Sequence, residues 1–155
     1  MPVIHSTFTL DRRYPTPPTR VFRAFADPAR KRRWFLESGG NQVDSHEMDF
    51  RVGGIERARF RHSGPPMESV PFSTENTFLD IQPDSRIVFA SGMSMGDHRF
   101  SASLVTVEVE PADGGTRLLL THQGAFFEGA DGPEMREQGW RKLLDRLADH
   151  VSQAS

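Results

Sequence analysis

The hydrophobic pattern is sharpest near the C-terminal end of the chain. Within residues 133–151, apolar side chains fall at Trp140, Leu143, Leu144, Leu147 and Val151. That spacing places all of them on one helical face. Arg141, Lys142, Asp145, Arg146, Asp149 and His150 take the opposite face. About nineteen residues at 1.5 Å rise make a rod of roughly 28 Å. Such a rod needs a large apolar surface to lie on, and the rest of the pattern predicts a sheet.

Residues 4–14 alternate loosely and predict a first strand. Thr16-Pro17-Pro18 predicts a helix start, with Thr16 as N-cap and Pro17 at the first helical position. Val21, Phe22 and Phe25 make its buried face. Asp27-Pro28 repeats the signal for a second short helix ending near Trp34-Phe35, and Gly39-Gly40-Asn41 marks the exit. From there to Gln123 the chain reads mostly as strand. Met48 and Phe50 alternate with Glu47 and Asp49, and Ala58 and Phe60 with Arg57, Arg59 and Arg61. Residues 72–81 and 87–90 predict strands around the turn Pro83-Asp84-Ser85, and residues 92–97 read as a loose connection. Residues 101–110 put Ser103, Val105, Val107 and Val109 on one face. Asp113-Gly114-Gly115 is a hairpin turn before a last strand at residues 116–123.

The order is strand, two short helices, five or six antiparallel strands, long helix. Short turns make the later strands antiparallel neighbours. The first strand, separated by helices, is expected to pair with the last or its neighbour. The fold class is α+β: a curved antiparallel sheet wrapped around the C-terminal helix, with a cavity between them. Residues 1–155 are expected to form a single domain.

Composition narrows the function. The formal charge is -2, without the clustered basic surface of a nucleic-acid binder. The run Arg30, Lys31, Arg32 and Arg33 cannot share one helical face and reads as a solvated helix surface. There is no cysteine, so disulfides and thiolate chemistry are excluded. No stretch approaches the ~20 apolar residues of a membrane span, and no signal-peptide pattern is visible. A cytoplasmic protein is expected, with no nucleic-acid or membrane partner. Twelve Phe against one Tyr suggest an aromatic interior with few hydroxyls.

Four segments carry a family resemblance. Val21-Phe22-Arg23-Ala24-Phe25 with Asp27-Pro28 and Trp34 is similar to the pattern v-w-x-a-f-T-D-P followed by W. Asp49-Phe50-Arg51-Val52-Gly53-Gly54 is similar to D-l-R-p-G-G. Thr116-Arg117-Leu118, Leu120 and His122 resemble T-r-l-t-l-t-H, and Gly139-Trp140 with Leu143, Leu144 and Leu147 resembles G-W followed by L-d-r-L. In this order they resemble the START-like (SRPBCC) superfamily, in its branch named after the activator of the heat-shock protein 90 ATPase. Phe22 in place of Trp and Val52 in place of Pro are the departures. The resemblance implies the helix-grip fold and a pocket, but no reaction, because the fold hosts carriers, cyclases, hydrolases and co-chaperone modules.

The leading expectation is binding of a small hydrophobic molecule. Its contacts would come from Trp34, Phe35, Met48, Phe50, Phe60, Phe78, Phe89, Trp140 and Leu144. The alternative is a cyclase, dehydratase or hydrolase using His46, His122 or Glu75 as acid-base groups. His46 and His122 share parity with apolar strand residues, and each also reads as a satisfied interior histidine. Glu75 shares parity with Thr77, Leu79 and Ile81, while Asn76 and Phe78 compete for the inward face. No histidine pair has metal-ligand spacing and no phosphate loop or nucleotide fingerprint is present, so neither metal nor cofactor is expected. A co-chaperone role ranks last, since the family's co-chaperones are larger and carry an extra domain. Gly139 reads as a close approach of helix and sheet. A homodimer is compatible with the sequence.

Overall fold

The computed structural model describes residues 2–153. β1 (Ile4–Tyr14) leads into α1 (Pro18–Ala26) and α2 (Pro28–Lys31), then a π turn (Arg32–Leu36) and a 3-10 turn (Glu37–Gly39). β2 (Gln42–Met48), β3 (Ile55–Arg61), β4 (Phe72–Gln82), β5 (Arg86–Met95), β6 (His98–Ala112) and β7 (Gly115–Phe126) follow, and α3 (Pro133–Ser152) ends the fold. The strands form one curved antiparallel sheet in the order β1-β7-β6-β5-β4-β3-β2. β1 pairs with β7 along its whole length, from Ile4 opposite Phe126 to Tyr14 opposite Thr116. This is the α+β architecture expected from the pattern.

Local chemistry sets the boundaries. The Asp27 carboxylate accepts from the backbone N–H groups of Ala29 and Arg30 and so caps α2. α1 begins one residue later than expected, with Pro17 as its N-cap. Thr16 instead accepts a hydrogen bond at its carbonyl from the Thr116 hydroxyl, 2.6 Å away. Asp113 and Gly114 both take positive φ, 47° and 80°, the combination a two-residue hairpin uses. Residues 92–95, expected to be a loose connection, continue β5 because β4 and β6 pair with them on both sides.

β4 resolves the parity conflict read from the sequence. A bulge between Phe78 and Asp80 shifts its register against β5. The extra residue, Leu79, is left facing solvent at 50% exposure. Asn76 and Phe78 before the bulge and Ile81 after it then all point inward. One inserted residue has let two parities share one face.

α3 buries Arg136, Trp140, Leu144, Leu147 and Val151. Leu144 and Leu147 join Leu118, Leu120, Val105 and Val107 of the sheet in the main core. Each such Leu contributes about 1.5 to 3 kcal/mol of burial. The Tyr14 hydroxyl donates to the Leu144 carbonyl at 3.1 Å, pinning the helix to β1. Gly139 is not the point of close approach. It is exposed, and a Cβ there would meet nothing within 4 Å. The close contact is at Gly39, where a Cβ would lie 2.5 Å from the Arg146 guanidinium. Gly139→Ala is therefore expected to stabilise the protein by about 0.5 to 1 kcal/mol. A melting curve reads this as a raised Tm, and a lowered Tm would mean the bare position is needed in the native fold.

Candidate functional site

The interior is divided. The main hydrophobic cluster holds Trp34, Phe78, Phe89, Trp140 and Leu144, and a second, smaller cluster holds Leu36, Ala58 and Phe60. Phe35 packs against both. Between them, Glu56, Asn76, Ser91 and Ser103 stand in register across β3 to β6. Thr74, Met93 and Ser101 follow in the adjacent row. The inner face of the sheet is thus apolar beneath α1 and the C-terminal half of α3. It is polar toward the N-terminal end of α3.

Glu56 is the centre of the polar stripe. It is 2% exposed, and its carboxylate accepts from Lys31 Nζ at 2.6 Å, His46 Nε2 at 2.9 Å and Asn76 Nδ2 at 3.0 Å. Lys31, 3% exposed, is the member of the basic run that is not solvated. The π turn after it directs the exposed Arg33 outward, while Lys31 crosses to the sheet. Its ammonium also lies 5.1 Å from the Phe35 ring centroid and 5.5 Å from that of Phe89, a cation–π geometry. Burial alone would raise the Glu56 pKa. The Lys31 charge and the hydrogen bonds from His46, Lys31 and Asn76 outweigh it and hold the carboxyl down to about 2. Glu56 was absent from the expected site, although its parity with Ala58 and Phe60 signalled an inward carboxylate.

A second polar group lies at the N-terminal end of α3. Arg136, 8% exposed, makes two 2.8 Å contacts to Asp131, through Nε and Nη2, and donates to the Ser101 hydroxyl at 2.8 Å. Its guanidinium lies 5.0 Å from the Phe126 ring centroid. His122 is stacked on Phe8 at 4.7 Å and is 1% exposed. Burial, and then the nearby Arg136 charge, push its pKa down to about 4. A histidine buried neutral favours the folded state above its ordinary pKa of 6.5, and that stability is lost as the pH falls toward 4. The shift corresponds to about 3 kcal/mol. His122→Phe, which keeps a ring on Phe8, is expected to flatten the decline of stability between these pH values in denaturant titrations. An unchanged acid limb would locate the proton uptake elsewhere.

Three buried atoms on this inner face have no hydrogen-bond partner: Asn76 Oδ1, Ser103 Oγ and His122 Nδ1. All are shut off from solvent, so the expected cavity is closed over them in this conformation. One surface depression lies around Arg86, Glu108 and Arg117, and another, which the Ser103 residue also borders, around His5, Thr7 and Gln123.

The expected site residues separate into groups. His46 and His122 both face inward, one in each polar group. Glu75 does not: it is exposed and accepts from Arg57 Nε at 2.9 Å. The β4 bulge assigns the inner face to Asn76, and the outer arginine ladder claims Glu75 in a cross-strand pair. Trp34, Phe78, Phe89 and Leu144 are packed in the main core, and Phe60 in the second cluster. The Trp34 indole donates to the Ala24 carbonyl at 2.8 Å, a structural bond. Phe35, Met48 and Phe50 are half-buried. Trp140, 7% exposed, meets the Phe35 ring at 5.8 Å.

The sequence profile of the Activator of Hsp90 ATPase homolog 1-like proteins matches residues 15–152. The chain belongs to the Activator of Hsp90 ATPase homolog 1-like family. Among solved structures it is similar to the Mll3558 protein of Rhizobium loti, at 48% identity and TM-score 0.87 over 97% of this chain and 99% of that one. An uncharacterized protein of Rhizobium leguminosarum is 34% identical, with TM-score 0.90 over 99% and 98% of the two chains. An AHSA1-like protein of Aeromonas hydrophila, 22% identical, shares the fold at TM-score 0.71 over 95% and 92%. Comparison with functionally curated proteins gives no match. Among the described residues no helix of this family member is long and apolar enough to cross a membrane.

Proposed function

We propose that the protein is a cytoplasmic carrier that binds one small, mainly apolar molecule between the inner face of the sheet and α3. The observation behind this reading is the divided interior. A domain stabilised by packing alone would fill the inner face of β4, β5 and β6 with Val, Ile and Phe. Here Asn76, Ser91 and Ser103 interrupt the core instead. Buried polar atoms without partners cost about 1 to 3 kcal/mol each, a cost that a ligand can offset. Because these atoms are covered, the ligand enters by displacing a side chain. Phe35, half-buried and shared by both clusters, is the one that has to move. It stands on a π turn, a local geometry frequent at functional sites.

Native mass spectrometry of the purified protein, with thermal-shift screening against aromatic and lipid-like compounds, tests the reading. The expected result is a co-purified mass of small-molecule size or a clear rise in Tm with an apolar compound, since ligand at a hundred times Kd adds about 2.7 kcal/mol. Neither signal across both measurements overturns it.

A second reading, an acid-base enzyme, is favoured by the convergence of Lys31, His46 and Glu56 within hydrogen-bonding distance. Glu56, ionised down to about pH 2, has no proton to give near neutrality. Proton transfer would then fall to His46. Turnover of the bound compound that disappears in His46→Gln would establish this reading over the carrier.

A further inference from the structure

The unpartnered atoms specify more than an apolar ligand. The Asn76 amide is oriented by its neighbour: Nδ2 donates to Glu56 Oε1 at 3.0 Å, and a flipped amide would set its oxygen against the carboxylate. The atom left over, Oδ1, is therefore an acceptor without a donor. Ser103 stands in register two strands away, across Ser91, or about 10 Å at the usual strand spacing. Its Oγ is likewise unpartnered. That separation suits opposite ends of a two-ring frame. The buried cations beside this stripe, Lys31 and Arg136, are already paired with Glu56 and Asp131, so neither is free to take a ligand carboxylate.

Resting on the carrier reading above, we infer that the ligand is an uncharged molecule bearing a hydrogen-bond donor, a hydroxyl or an N–H, on an apolar frame. The donor faces Asn76 Oδ1, and the frame lies between the two hydrophobic clusters. Acids of the same shape are rejected, because the acceptor has nothing to offer a carboxylate oxygen and both neighbouring cations already have carboxylate partners.

Three probes on one frame test this: 2-naphthol, 2-methylnaphthalene and 2-naphthoate, titrated calorimetrically at pH 7 into the full chain. The expected result is that 2-naphthol binds about tenfold more tightly than 2-methylnaphthalene, one hydrogen bond's worth, and 2-naphthoate more weakly than either. Asn76→Leu, which puts an apolar side chain where the acceptor stood, is expected to abolish the naphthol advantage. A fourth probe, 2,6-dihydroxynaphthalene, carries a second hydroxyl at the far end of the frame, where Ser103 stands. It is expected to bind more tightly than 2-naphthol, and Ser103→Ala, which keeps the bond from Asn76 to Glu56, is expected to remove that further gain, which decides the matter if Asn76→Leu fails to fold. If 2-naphthoate binds as tightly as 2-naphthol, if the naphthol advantage survives Asn76→Leu, or if the second hydroxyl brings the same gain in Ser103→Ala as in the parent, the donor assignment is wrong while the apolar site stands. If none of the probes binds, the carrier reading fails and the inference goes with it.

Discussion

Replacing Trp140 by Ala is expected to lower stability by about 3 to 5 kcal/mol, the usual cost of truncating a buried large aromatic. The residue is 7% exposed on the inward face of α3 and belongs to the main cluster. Its ring meets Phe35 edge-on at 5.8 Å, and Phe35 in turn meets Trp34 at 5.4 Å. Truncation would leave a void beside Leu144 and remove the aromatic partner of Phe35. A domain of ordinary stability has 5 to 15 kcal/mol in total, so the variant is expected to be partly unfolded at 37 °C. Denaturant melts of the parent and of Trp140→Phe provide the scale. A Trp140→Ala midpoint equal to the parent's would mean that α3 does not rely on this face.

Lys31→Met is expected to be about as damaging, at roughly 3 to 5 kcal/mol. Methionine fills the space but leaves the Glu56 carboxylate buried without its closest cation. The cost comes from the charge that remains, so the double variant Lys31→Met with Glu56→Leu should recover much of the loss. The pH dependence supplies an independent signature. Glu56 has a folded pKa of about 2, below its ordinary 4.5. Its contribution is present above pH 4.5 and is lost as the pH falls toward 2. In Lys31→Met this acid limb should shift to higher pH. A single variant as stable as the parent, or a double variant no better than the single, would show that the buried pair is not what holds α2 to β3.

Much of the architecture was legible because period and punctuation agree. The helical stripe of α3, the proline starts of α1 and α2, and the hairpin at Asp113-Gly114 each have a local physical cause, and each appears in the structure. The first strand's pairing followed from connectivity alone. The misses are non-local. Leu79 and Ile81 pointed to one parity for β4 and Phe78 to the other, and no sequence rule announces the bulge that reconciles them. Lys31 sat in a basic run, and its burial depends on a carboxylate twenty-five residues away on β3. The parity of Glu56 with Ala58 and Phe60 is readable, but an inward carboxylate makes sense only once its cation is known. Gly139 had no neighbour that sequence could supply, and the structure gives it none.

The separation of the two hydrophobic clusters also bears on how the molecule fluctuates. β1, β5, β6, β7 and α3 are knitted together by the large cluster, whereas the outer part of β2 and β3 depends on Leu36, Ala58 and Phe60 with Phe35, Val43 and Phe72 packed against them. A few apolar contacts hold less free energy than the main core, so this end forms a cooperative unit able to open by itself. Backbone amides of Val43 and Phe60 should then exchange with deuterated solvent through sub-global openings, faster than those of Leu118 and Leu120, which wait for global unfolding. Occupation of the polar stripe would join the two units, and the protection factors of β2 and β3 would rise toward those of β7 with no change in the average fold.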